Sequence, residues 1–377
     1  MQCDFLVIGA GIAGASAGYA LSEKGKVVVL ERESRPGYHT TGRSAATYIE
    51  FLGSRAIRVL SLGGKEFFLK PPAGFSETPL VAPRGCMIAA VENDAETLRK
   101  LIADVQVLSP KVRGIDAGEA LNLCPIMKPE AAVLSMYDPD AMDIDVAAVH
   151  QGFLRGLKAR GGDVVVDAEV LGLERKGGQW EVRTPQGVFR APVVVNAAGA
   201  WADVVGAMAG AKPIGLVPKR RTIAVMNVPE GLDAKRWPIV GDAAETWYFI
   251  PQGSRLLLSP ADETPTDPCD AQPEEMDVAL AVDRVETATA LQVKRVESKW
   301  AGLRSFVADK TIVAGFAPEA EGFFWVAGQG GYGIQTSPGV SRVVGALATG
   351  GEIPADMRAL GLTADMLAPN RPSLKAH

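Results

Sequence analysis

The hydrophobic pattern opens on four consecutive apolar residues, Phe5-Leu6-Val7-Ile8, that run into glycines. A short unbroken run of that kind reads as a parallel strand buried on both faces. Residues 13–23 then read as a helix stopped by Gly25, and residues 27–30 as a second buried strand. Together they close a βαβ unit of about 30 residues. A loop rich in glycine and hydroxyls, residues 36–44, leads into a helical stretch through about Leu69, and Pro71, Pro72 and Pro79 mark a crossing into a second unit. A βα pattern returns over residues 146–166, and Val193-Val194-Val195-Asn196 is again a buried strand. From Arg220 to Leu258 short alternating runs such as Thr222-Ile223-Ala224-Val225 predict an antiparallel sheet. Residues 323–326 form a last core strand, followed by a glycine-rich loop and a helix from about Pro338. The fold class is α/β (α+β overall), with one Rossmann-like unit assembled from the beginning, middle and end of the chain.

Composition narrows the possibilities. A chain of 377 residues is long for one simple core, so two domains are expected. A net charge of −5 with no block of like charges argues against a nucleic-acid partner. No apolar run approaches the roughly 20 residues of a membrane span, and the start lacks the basic region of a signal peptide. The expected location is therefore cytoplasmic, with Cys3, Cys86, Cys124 and Cys269 reduced. Three histidines, His39, His150 and His377, without metal-ligand spacing exclude metal catalysis as the leading expectation.

The first chemistry-bearing motif is Gly9-Ala10-Gly11-Ile12-Ala13-Gly14. It follows a buried strand and opens a helix, so its backbone N–H groups face a pyrophosphate. Gly9 serves the tight turn, Gly11 the approach of phosphate, and Gly14 the packing of helix on strand. Glu31, at the end of the second strand, suits both hydroxyls of a ribose and repels a 2′-phosphate. An NAD domain would proceed into another βα unit. Here the loop Gly37-Tyr38-His39-Thr40-Thr41-Gly42-Arg43-Ser44-Ala45-Ala46 precedes a new helix and suits FAD, with Arg43 neutralising phosphate and Ser44 at a helix N-terminus. The late loop Gly328-Gln329-Gly330-Gly331-Tyr332-Gly333-Ile334-Gln335-Thr336 supplies a second glycine-lined approach ahead of a helix.

These motifs, with Asn196-Ala197-Ala198-Gly199-Ala200-Trp201, resemble the D-amino acid oxidase superfamily. The segments PKRR ending at Arg221, WAGLRSFVAD from Trp300 and EGFFWVAGQGGYGIQTS resemble the bacterial D-arginine dehydrogenases within it. The resemblance covers nearly the whole chain. It implies noncovalent FAD in a domain of residues 1–75, 143–208 and 305–377, and a substrate domain of residues 76–142 and 209–304 with a large antiparallel sheet. It implies FAD contacts at Ala13, Glu31, Arg32, residues 40–47 including Thr47, Val170 and residues 330–335. It also implies oxidation of a D-amino acid to an imino acid, which water hydrolyses to a 2-oxo acid and ammonia.

Carried over residue by residue, the resemblance puts the substrate carboxylate between Arg221 and Arg304, with Tyr248 closing the site and Gly331 beside the flavin. Two guanidinium groups on one carboxylate would fix Cα–H against flavin N5. The chain departs from the arginine-specific pattern where a glutamate becomes Cys86, a tyrosine becomes Leu52, two wall residues become Ile239 and Gly241, and a histidine becomes Thr47. Without that carboxylate a buried cationic side chain would stand unpaired, so neutral and hydrophobic side chains are expected. Glu50 and Asp242 are the acidic residues that could restore a cation site. No histidine is placed as a general base, so direct hydride transfer from Cα to N5 is expected, with a quinone or other carrier as electron acceptor. Oxidation of a secondary amine such as sarcosine or of a 2-hydroxy acid, and a non-catalytic flavin carrier, remain alternatives.

Overall fold

In a computed structural model, which describes residues 1–374, the Phe5–Ile8 strand lies between Val27–Leu30 and Val193–Asn196 and pairs in parallel with both. Neighbours on both edges explain the unbroken apolar run. The six-stranded sheet is ordered Val313–Phe316, Phe323–Ala327, Val193–Asn196, Phe5–Ile8, Val27–Leu30, Asp163–Val165, and only its first pair is antiparallel. Helices Ile12–Leu21, Arg55–Leu69, Val146–Ala159 and Gly333–Leu347 pack against one another on one side.

A nine-stranded sheet forms the second large element, with Val217–Asn227 paired to Ser298–Phe306 and Arg255–Ser259. It is antiparallel except where Ile239–Asp242 runs parallel to Cys86–Ala90. Period-two alternation sorts its residues cleanly. Ala224, Val240, Phe249 and Leu258 enter a core with the Glu275–Ala288 helix, while Cys86, Ile223, Ile239 and Ile250 turn to the opposite face. That second face looks onto the glycine-lined end of the six-stranded sheet.

Two helix starts differ from the sequence reading. The loop through Ser44 does not enter a helix: a short strand, Thr47–Tyr48, intervenes, and the helix begins at Arg55. Ser44 follows a single 3₁₀ turn, Thr41–Arg43, and its hydroxyl donates to the Thr40 carbonyl at 2.8 Å. The last helix begins at Gly333, not near Pro338. Pro338 lacks the N–H that would reach the Ile334 carbonyl, and the Ser337 hydroxyl donates to that oxygen instead, at 2.8 Å. All four cysteines are unpaired, and only Cys269 is exposed. Among the described residues no helix is long and apolar enough to cross a membrane. His377 lies outside the described residues.

Candidate active site

A cavity of about 970 Å³ opens between the two sheets, with the fingerprint at one end and the nine-stranded sheet at the other. At the fingerprint end, a Cβ on Gly14 would stand 1.8 Å from the Gly9 carbonyl oxygen, so only glycine lets helix and turn meet. The Ile12–Leu21 helix carries no acidic residue in its first turn, and Gly11 N-caps it without a side chain. The Ile12 N–H donates to the Thr41 hydroxyl at 2.9 Å, which ties the 37–46 loop to the helix start. Glu31 is 8% exposed. Its two oxygens accept from the Ala10 and Glu33 N–H groups at 2.8 and 3.0 Å, which fixes the carboxylate at the cavity wall.

Beside Glu31, the Arg32 guanidinium sits 4.2 Å over the Trp201 ring. Arg32 and His39 both pair with Glu33, at 2.9 and 2.8 Å. His39 Nδ1 is buried with no protein partner, an orphaned polar atom in the cavity wall. Val170, Ala198 and Gly199 complete this end. His150, missed as a site residue, donates Nε2–H to the Ala10 carbonyl at 2.8 Å, and burial holds its imidazole below the usual histidine range. A helix start without an acidic first turn and a preset carboxylate fit a dinucleotide with its pyrophosphate at the helix and a ribose at Glu31.

Three polar side chains from the sequence reading are engaged otherwise. The Arg43 guanidinium pairs with Asp270 and donates to the Ala271 and Ala301 carbonyls at 2.8 and 3.1 Å, so it clamps the loop to the far sheet rather than facing a phosphate. The Thr40 hydroxyl likewise donates to the Leu303 carbonyl at 2.9 Å. Gln335 lines the cavity, but its amide is committed to both backbone groups of Ile49 and to the Ser61 hydroxyl. Gly42, Ala45, Ala46 and Thr47 lie along the same stretch, of which Ala45, Ala46 and Thr47 face the cavity.

At the other end, Arg304 on Ser298–Phe306 stands opposite Lys219 on Val217–Asn227. Arg221, two residues further along, shares that face. The Tyr248 hydroxyl lies 3.4 Å from Arg304 Nη2, and its ring is 5.8 Å from the Arg221 guanidinium. Burial, then the charge of Arg221, pushes Arg304 below the usual arginine value. Burial raises the Tyr248 phenol, but Arg304 and Arg221 outweigh it and leave it below the usual tyrosine value. Among the described residues Arg304 forms no ion pair, whereas Arg221 donates to the Asp262 carbonyl at 2.8 Å and faces Glu263 at 3.6 Å. A Cβ on Gly331 would meet Arg304 Nη1 at 2.9 Å, so the glycine loop presses directly on this cation.

Leu52, Cys86, Ile239 and Gly241 line the adjoining wall, joined by Ile88, Ile223 and Ile250, which the sequence reading missed. Strand alternation carried the signal, since Ile223 lies two residues from Arg221 and Ile250 two from Tyr248. Neither acidic candidate is free. Glu50 pairs with Lys65 at 2.5 Å and accepts from the Ser109 hydroxyl. Asp242 accepts from the Thr246 and Trp247 N–H groups and the Thr246 hydroxyl.

Comparison with known proteins agrees with this geometry. A family model described as FAD dependent oxidoreductase (DAO) matches residues 4–347. Mitochondrial sarcosine dehydrogenase from Homo sapiens is 27% identical over 365 residues, which cover 90% of this chain and 39% of that protein. The chain thus spans well under half of that relative's length. Glycine oxidase from Bacillus licheniformis is 24% identical over 380 residues, covering 93% of this chain and 94% of the relative. The crystal structure of glycine oxidase from Geobacillus kaustophilus shares the fold, with a TM-score of 0.82 at 23% identity over 96% of this chain and 98% of that one.

Proposed function

The chain belongs to the DAO family of FAD dependent oxidoreductases, and on that footing we propose that it oxidises the C–N bond of a small amine bearing a carboxylate. The leading substrate is a D-amino acid with a neutral, apolar side chain, released as a 2-oxo acid and ammonia. One observation carries the reading: Arg304 is a half-buried cation in the cavity wall without an ion-pair partner among the described residues, beside a second arginine and a phenol. An uncompensated guanidinium in such a place is costly until an anion joins it. A carboxylate is the planar anion that its fork fits.

FAD, when bound, accepts the two electrons of the oxidation. The protein's own residues do the positioning. Arg304 and Arg221 would hold the carboxylate, and Tyr248 would bound the site from the sheet. Leu52, Ile88, Ile223, Ile239 and Ile250 exclude water around the side chain, which favours apolar substrates over arginine. The Gly333–Leu347 helix has no acidic residue in its first turn, so its N-terminal N–H groups would stabilise negative charge at the cavity.

A second reading is supported by the relatives, which are named for sarcosine and glycine. In it the same carboxylate clamp serves a secondary amine. Anaerobic mixing with D-amino acids, sarcosine and 2-hydroxy acids separates the two by which compounds bleach the flavin. D-leucine or D-valine acting far better than sarcosine supports the first reading; the reverse order supports the second. Bleaching by none removes both.

A further inference from the structure

Arg221 and Arg304 have cationic company. Lys219 lies directly opposite Arg304 across the strand pair. Lys310 reaches the same ground from the loop that follows, and the ammonium groups of Lys219 and Lys310 each sit 5.5 Å from the Phe306 ring. Four cations therefore gather around this end of the cavity, three of which, Arg221, Arg304 and Lys310, line it. One side chain, Glu263, meets three of them: it stands 2.7 Å from Lys219 and 3.6 Å from both Lys310 and Arg221. Glu263 and Lys310 both line the cavity. Burial raises the Glu263 carboxyl, but the Lys219 hydrogen bond and the neighbouring cations outweigh it and hold it below the usual glutamate range.

We infer that Glu263 is an internal counter-ion that takes the place of a second substrate carboxylate and so restricts the site to amines carrying one. The inference rests on the reading that Arg304 and Arg221 receive the substrate carboxylate. A first carboxylate goes to Arg304, the cation left uncompensated. A second carboxylate on the same molecule would need another uncompensated cation within reach. With Arg221 beside Arg304 on the first carboxylate, Lys219 and Lys310 are the groups at hand, and Glu263 already answers both. An incoming anion would meet its negative charge beside the Phe306 ring, where like charges repel. Glutamine at position 263 keeps the shape and removes the charge. Lys219 and Lys310 then stand ready for a second carboxylate, while Arg221 keeps the Asp262 carboxylate at 4.0 Å.

The test compares the FAD-loaded wild type with Glu263→Gln and Glu263→Asp. Two ratios are read: D-aspartate over D-alanine in kcat/KM, and malonate over acetate in affinity, the latter from the change each ligand makes in the flavin absorbance. In Glu263→Gln both ratios rise by about tenfold or more, through the KM of the dicarboxylate rather than kcat, while Glu263→Asp stays within about threefold of wild type. Unchanged ratios in Glu263→Gln overturn the inference. So does an equal shift in Glu263→Asp, because that makes geometry rather than charge the cause. Should Glu263→Gln lose its flavin, Lys310→Gln carries the test: it leaves Glu263 less compensated and lowers both ratios, and a ratio that holds or rises overturns the inference. If neither amino acid reduces the wild-type flavin while the malonate-to-acetate ratio shifts as stated, the proposed function fails and the counter-ion stands.

Discussion

The Arg304 guanidinium lies 3.4 Å from the Tyr248 hydroxyl, so a phenol and not a carboxylate faces this cation. Arg304→Met keeps much of the bulk and deletes the charge. KM for the amino acid rises and kcat/KM falls about 100-fold or more, on the order of 3 kcal/mol, as for loss of one partner of a close charge pair. FAD content stays at the wild-type level because Arg304 lies at the far end from the fingerprint. Steady-state kinetics and flavin content on one preparation check both halves. An unchanged KM removes Arg304 from the carboxylate site.

Gly331 and Arg304 give a subtler variant. A Cβ at Gly331 falls 2.9 Å from Nη1, the far end of a flexible side chain, so Gly331→Ala displaces the guanidinium without breaking the fold. The expected result is a wild-type melting temperature with KM raised by about tenfold, since small misplacements of a positioning group cost much in reactivity. A melting temperature lowered by many degrees with KM intact would place the effect in the backbone instead.

Asp138 stands opposite Cys86 in the strand pair beneath the apolar wall, 2% exposed, with Oδ2 lacking a partner. Burial pushes its carboxyl from an ordinary 3.8 to about 6. The folded chain therefore keeps this proton between about pH 4 and 6 while the unfolded chain has released it, so stability falls as pH rises through that window. Above it the deficit is about 3 kcal/mol. Asp138→Asn is expected to raise the melting temperature by a few degrees at pH 7.5 and by almost nothing at pH 4. Thermal denaturation across pH reads the difference; an equal gain at both ends contradicts the burial argument.

His150 works from behind the fingerprint. Its Nε2–H holds the Ala10 carbonyl, and burial keeps the ring neutral. Below about pH 6.5 the unfolded chain takes up a proton that the folded chain resists, so stability drops as pH falls. His150→Phe removes that dependence, and it loosens FAD by about tenfold because the turn loses its buried anchor. Fluorescence titration of the apoprotein with FAD measures the second effect. An affinity equal to wild type shows that the turn holds itself.

The strands and the fingerprint were legible because their signals are local. Phe5–Ile8 is apolar throughout since it has parallel neighbours on both edges, and the glycines follow it at once. The Gly333 helix start was hidden by Pro338, which reads as a first-turn residue until the Ser337 hydroxyl is seen to replace the missing N–H. Arg43 was misassigned because its partner, Asp270, lies 227 residues away. Glu263 carried no signal at all: it sits in an irregular stretch just ahead of the short strand Thr264–Pro265, and its meaning comes from cations on two other segments.

The most direct measurement sets an amino acid against the same amine without its carboxylate, for example D-leucine against isopentylamine, in anaerobic flavin reduction. An uncompensated Arg304 demands the carboxylate, so D-leucine reduces the flavin while isopentylamine at equal concentration reduces it at least about 100 times more slowly. Equal rates for the two would contradict the carboxylate clamp outright.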